Sequence, residues 1–180
     1  MSKKKPLKYI IDTNVPKTAN LAIIPDKLTT ENIKCVKGCV ELIERIVNNS
    51  KSGLVLDTNN EIFDEYRAQL NMGGNPGMGD MFMKWLHDNR WSFPDQDRVK
   101  ISKSGDSYEE FPTHDDLTNF DISDRKFVAV SNAHPSKPCI YEATDSKWWG
   151  WKEALNEVGI NVIFIDDDYI KEIYTRKMGG

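Results

Sequence analysis

At 180 residues, 39% of them hydrophobic, the chain suits one globular domain with a sizeable core and leaves little room for two. Its 24 basic and 28 acidic side chains give a net charge of -4, which excludes a strongly basic surface for indiscriminate nucleic-acid binding, although local basic patches or bound metal ions can still neutralise phosphates. Three cysteines, an odd number and too few for a disulfide scaffold, are expected as free thiols. No segment approaches the roughly 20 apolar residues of a membrane span. After the lysine-bearing start from Met1 to Pro6, the apolar run covers only Tyr9 to Ile11, too short for a signal-peptide core. The expectation is a cytoplasmic protein that meets no membrane.

Residues 8 to 12 form a short apolar run ending in Asp12, as a buried strand does on reaching a sheet edge. A loop carrying Pro16 and Pro25 follows. Thr30 then offers an N-cap, and Ile33, Val36, Val40, Ile43 and Val47 recur at helical spacing until Gly53. Leu54 to Leu56 reads as a second strand, and Asn60 starts a helix whose inward face is Ile62, Phe63, Tyr66 and Leu70. From Asn71 to Gly79 the glycine-rich composition predicts a mobile loop leaving the core. A short amphipathic helix over 80 to 91, with Met81, Trp85 and Leu86 at helical intervals, precedes a polar stretch to about His114.

Asp121 opens the next helix as its N-cap, with Asp124 three residues on, apolar Phe127, Val128 and Val130 behind, and a stop at Pro135. A strand at Cys139 to Tyr141, a helix from Asp145 to about Val158, a strand at Asn161 to Ile165 and a helical tail complete the chain. Strands alternating with helices predict a three-layer α/β/α domain around a central, mainly parallel sheet of four to five strands. The whole of 1 to 180 is one domain, with a core at 8–70 and 119–166 and an insertion at about 71–118.

Ligands of an open parallel sheet gather beyond the carboxyl ends of its strands. Four acids map there. Asp12 ends the first strand, Asp145 follows the 139 to 142 strand, Asp124 lies in the first turn of the preceding helix, and Glu65 projects from the helix after the second strand. Clustered carboxylates repel and drift toward protonation, a cost that divalent cations remove; such oxygen ligands suit Mg²⁺ or Mn²⁺. Glu61 and Glu65 form a like-charge pair one helical turn apart, worth roughly 0.2 to 0.5 kcal/mol of repulsion. No lysine or arginine stands at position 69 to relieve Glu65, as a bound cation would. Glu61, Asp64 and Asp57 read as ordinary acids.

These residues resemble a known family. Tyr9-Ile10-Ile11-Asp12-Thr13-Asn14 is similar to the opening strand of PIN domains, and Ile62-Phe63-Asp64-Glu65-Tyr66-Arg67 to their second motif. Asp121-Ile122-Ser123-Asp124-Arg125-Lys126-Phe127 resembles the third motif, and Ala143-Thr144-Asp145-Ser146-Lys147-Trp148 the fourth, in the family's order. The resemblance implies a PIN-like fold and an acidic pocket of Asp12, Glu65, Asp124 and Asp145. That pocket would bind one or two Mg²⁺ or Mn²⁺ ions and hydrolyse single-stranded RNA, or less often DNA, to 5′-phosphate and 3′-hydroxyl products. Asp12 and Asp145 are the first choices for direct ligands, with Glu65 and Asp124 acting directly or through water. Asn14 and Thr144 would support them or touch phosphate, and Asp121 is an alternative to Asp124. The family also implies homodimers, and inhibitory or effector-complex protein partners such as those of toxin and antitoxin pairs.

The remaining features read more plainly. Cys35 and Cys39 share a helix face, but a fourth zinc ligand is missing and buried thiols are expected. His114 could approach a phosphate. Trp148, Trp149 and Trp151 could stack on unpaired bases, with at least one in the core. Arg67, Arg125, Lys126 and Lys147 flank the motifs, where they either meet an RNA backbone or simply face water. A haloacid-dehalogenase phosphatase would need a second aspartate where Asn14 stands. The same acids would also suit a DNA-cutting nuclease, and a catalytically silent PIN-like scaffold that binds RNA or protein could retain them.

Overall fold

A computed structural model describes residues 7–49 and 52–179; the lysine-bearing segment at residues 1–6 lies outside them. β1 (Tyr9–Ile11) is fully buried and passes into α1 (Asn14–Ala19) with only Asp12 and Thr13 between them. Two 3₁₀ turns lead to α2 (Ile33–Val47), whose inward stripe is Cys35, Val36, Cys39, Leu42, Ile43 and Ile46. β2 (Leu56–Asp57), α3 (Glu61–Gln69), α4 (Met78–Asn89) and β3 (Arg98–Val99) follow. A small antiparallel hairpin, β4 (Lys103–Ser104) with β5 (Ser107–Tyr108), turns at Gly105. The chain ends with α5 (Arg125–Ala133), β6 (Cys139–Glu142), α6 (Lys147–Glu157), β7 (Val162–Phe164) and α7 (Asp167–Gly179).

The fold is mixed α/β with a parallel sheet in the order β1-β6-β7, smaller than the four to five strands expected. Leu54 meets β1 through a single parallel bridge at Tyr9, and Leu56–Asp57 then pairs in parallel with Arg98–Val99. By the register of that bridge Leu56 stands beside Ile11, whose carbonyl accepts from the Tyr66 hydroxyl and not from a ladder amide. The parallel segments nevertheless line up as β3, β2, β1, β6, β7, with β6 and β2 on opposite sides of β1. β1 leads on toward β2 and β6 leads on toward β7, so the two chains depart to opposite sides. Ligands of open parallel sheets gather at such a reversal, which here lies beyond the carboxyl ends of β1 and β6.

Two local expectations are corrected. The loop expected to carry Pro16 is helical, because proline costs little in a first helical turn, where its missing N–H would have no partner. The segment expected to leave the core at Asn71 instead returns to it. Asp80, 5% exposed, accepts from the Asn71 amide at 2.8 Å, the Gly77 amide at 3.0 Å and the Asn20 side chain at 3.2 Å, so the glycine-rich turn is tied to α1 and α4. α4 starts at Met78 and buries Phe82, Met83 and Leu86, while Met81 faces out and Trp85 is half-buried. The glycines serve close approach: a Cβ on Gly79 would lie 1.9 Å from the Pro16 carbonyl oxygen. Among the described residues no helix is long and apolar enough to cross a membrane.

Gly79→Ala is expected to destabilise the protein by about 1–3 kcal/mol, the usual cost of overpacking, read from the urea midpoint. An unchanged midpoint would refute the contact between α4 and α1.

Candidate active site

The parallel register pairs Ile11 with Tyr141, and the Asp12 amide donates to the Tyr141 carbonyl at 3.0 Å, so Asp12 and Glu142 are the next residues of their adjacent strands. Both are buried, Asp12 1% and Glu142 0% exposed. Asn14 joins them: its amide donates to Asp12 Oδ1 at 2.9 Å and its side-chain Nδ2 to Glu142 Oε1 at 3.4 Å. Glu142 Oε1 also accepts from the amides of Ala143 at 3.0 Å and Asp145 at 3.1 Å. The remaining oxygens, Asp12 Oδ2 and Glu142 Oε2, are buried without a hydrogen-bond partner. An isolated buried carboxylate oxygen is costly. A proton shared between the two carboxyls, or a cation bound by both, removes that cost.

Further acids surround this pair. Asp124 is buried just ahead of α5, and Trp148 Nε1 donates to its Oδ2 at 3.3 Å. Asp145, half-buried, accepts from the Lys147 amide at 3.0 Å, which makes it a helix-start residue of α6 as well as a neighbour of the cluster. Thr144 stands half-buried between Glu142 and Asp145. Glu65 receives the Thr13 hydroxyl at 2.7 Å on Oε1 and the Lys126 ammonium on Oε2. The relief that position 69 does not supply thus comes from Lys126, far along the chain, and Glu65 itself needs no bound cation. Glu61 is likewise matched, by Lys103 at 3.4 Å and the Tyr108 hydroxyl at 3.3 Å.

Burial dominates the electrostatics. It pushes Asp12 up to about 6, reinforced by Glu65 and Asp145, against the opposing effect of hydrogen bonds from Asn14 and Glu142. Burial and then the charges of Asp12, Asp145, Asp121 and Glu65 push Asp124 up to about 8. Glu142 is raised well above the carboxylate range by burial and then by Asp12. Both acids of the pair are thus pushed toward the protonated form. Asp121 goes the other way: Ser123 and Lys147 hold it below its ordinary value, and it caps the turn before α5 by accepting from the Ser123 amide. Of the two acids in the third motif, Asp124 is the one that feels Asp12.

Sequence reasoning passes over Glu142, the most buried acid of the group. A signal is present, since Cys139-Ile140-Tyr141-Glu142 repeats the apolar-strand-then-acid pattern of Tyr9-Ile10-Ile11-Asp12. Asp57, expected to be ordinary, is 3% exposed and accepts from the amides of Asn59, Glu61 and Ile62, holding the start of α3. His114 pairs with Glu157 at 2.6 Å, away from the acids of the pair. Trp148 is wholly buried, Trp151 packs on Phe120 at 4.3 Å, and Trp149 lies near Phe164 at 5.2 Å with the Lys152 ammonium over its ring. Arg125 is spent on the carbonyls of Thr118 and Phe120, Arg67 pairs with Asp64, and Lys147 pairs with Asp121. Cys35, Cys39 and Cys139 are buried free thiols.

Among the described residues, no three His, Cys, Asp or Glu side chains are arranged to grip a single ion. Asp12, Glu142, Asp145, Asp124 and Glu65 lie close enough to act on one another's charge, but Glu65 and one oxygen of Asp124 are turned to protein donors. No protein-family model, curated protein or solved structure matches the chain.

Asp12 and Asp124 bind protons more tightly in the fold than in the unfolded chain, so metal-free stability is expected to fall as pH rises from about 4 through the values of about 6 and 8. Each tenfold gain in proton affinity corresponds to about 1.4 kcal/mol. Melting temperatures from pH 5 to 9 in EDTA should decline in the natural protein and decline less steeply in Asp12→Asn, where burial still raises Asp124. Parallel curves for the two proteins would contradict the electrostatics described.

Proposed function

We propose that the protein is a divalent-cation-dependent nuclease of the PIN type, cutting single-stranded RNA beyond the carboxyl ends of β1 and β6, on a three-layer α/β/α domain. The observation that carries this reading is the pair of unpartnered, buried oxygens on Asp12 and Glu142, at adjacent strand ends and ringed by further acids. Their donor chemistry fits a hard cation, which prefers carboxylate oxygen. Asp12 and Glu142 would hold Mg²⁺ or Mn²⁺, with Asp145 and Asp124 next to them; the bound ion would supply a low-pKa water and charge compensation at the phosphate.

The chain's own residues do the rest. Asn14 fixes the spacing of Asp12 and Glu142 through its two hydrogen bonds, as a supporting residue does for a ligand. Trp148 orients Asp124 while excluding water from its inner side. A proton held by the pair must leave before a cation binds there, so ion affinity should climb with pH.

One feature favours a second reading, a silent RNA- or protein-binding scaffold: the ion pair of Glu65 with Lys126 already satisfies one acid without metal. Incubation of purified protein with labelled single-stranded RNA and Mn²⁺ separates the two. Cleavage is expected, with loss below detection in Asp12→Asn and Glu142→Gln and a drop of roughly 10–100-fold in Asn14→Ala. Binding of RNA with no cleavage above the Asp12→Asn level would establish the scaffold.

A further inference from the structure

Each oxygen of Glu65 already accepts a hydrogen bond from a protein donor. Thr13, itself 5% exposed, donates to Oε1 at 2.7 Å, and Lys126 donates to Oε2. Lys126 sits in the first turn of α5 with its side chain 14% exposed, and its ammonium also donates to the Ser123 carbonyl at 2.7 Å. An ammonium has three N–H donors, so one is left over from these two bonds. By contrast, the buried carboxylate oxygens that want a partner belong to Asp12 and Glu142. Charge within the pocket is therefore already divided into two regions. One is the Asp12 and Glu142 pair, each with a buried oxygen that no other residue reaches; the other is a carboxylate whose cation is a lysine of the same chain.

We propose that the pocket takes one divalent cation, on Asp12 and Glu142, and that Lys126 is its second positive centre, donating its remaining N–H to a phosphate oxygen of a single-stranded nucleic acid. Glu65 and Thr13 are positioning residues: they hold the ammonium in place and leave the ion alone. Asp124 and Asp145 feel the charge of the Asp12 and Glu142 pair and keep cations near it. This inference rests on the nuclease reading and makes it specific, because it assigns Glu65 to a lysine of the same chain and not to an ion.

Two measurements on the full chain test it. Manganese titration followed by electron paramagnetic resonance should count one Mn²⁺ per chain, with Glu65→Gln binding within about threefold of the natural protein and Asp12→Asn or Glu142→Gln weakened at least about tenfold. In EDTA, the affinity for an oligouridylate should lose about 0.7 from its slope against log salt in Lys126→Met, the value of one phosphate contact on a single strand, while Lys126→Arg keeps the slope. Melting curves show whether each variant is folded, and Lys126→Gln, which removes the charge and should lose the same slope, carries the test if the methionine variant is not folded. Two Mn²⁺ per chain, or a greater than tenfold loss in Glu65→Gln, overturns the one-ion site. One Mn²⁺ with an unchanged slope in Lys126→Met overturns the role of Lys126 alone. No Mn²⁺ bound by the natural protein overturns the nuclease reading with it.

Discussion

Two acids placed side by side in the dry interior are the constraint around which this molecule is organised. Pairing between β1 and β6 sets Asp12 beside Glu142, and donors from Asn14, Ala143 and Asp145 hold the two carboxyls there. Buried like charges of this kind are tolerated only with a proton or a cation between them. The surrounding chain reflects that demand. Asn14, Ala143 and Asp145 direct donors at one oxygen of each carboxyl, and the second oxygen of each is left without a donor. Such an arrangement is a liability for stability, and natural proteins concentrate liabilities of this sort at functional sites.

The rest of the fold serves to bring material to that point. α1 leaves immediately after Asp12 and carries Asn14 back over the pair, while Pro16 and Asn20, at the two ends of that turn of chain, receive the start of α4. α5 and the turn before it deliver Lys126 and Asp124, and α6 with its lead-in delivers Asp145 and the indole that orients Asp124. Tyr66, buried on α3, ties that helix to β1 by donating to the Ile11 carbonyl, so Glu65 on its neighbouring position meets Thr13. Each acid therefore belongs to a different part of the chain, and packing of those parts is what defines the pocket.

Much of this is visible in the sequence. Apolar runs ending in polar residues locate the strands, and helical spacing locates α2, α3 and α5 to within a few residues. Asp12, Asp124 and Asp145 are legible because each stands at the junction of an apolar run and a loop. Three things are not. Glu142 ends β6 as Asp12 ends β1, but the sequence does not show that the two strands are neighbours, and only their pairing brings the two acids together. The link between Lys126 and Glu65 is hidden as well, because the two lie 61 positions apart and no local rule connects them. The glycines from Asn71 to Gly79 suggest mobility, whereas Asp80 and Asn20 organise that turn through contacts 60 positions apart. Local composition reports what a segment tolerates, and long-range packing decides what it does.

Crystals of the full chain soaked in Mn²⁺ and measured at the manganese absorption edge test the central claim most directly. An anomalous peak between the Asp12 and Glu142 carboxyls, within coordinating distance of both, is the expected result. Absence of a peak there at saturating Mn²⁺ and alkaline pH, or carboxyls of Asp12 and Glu142 that point away from each other, would contradict it.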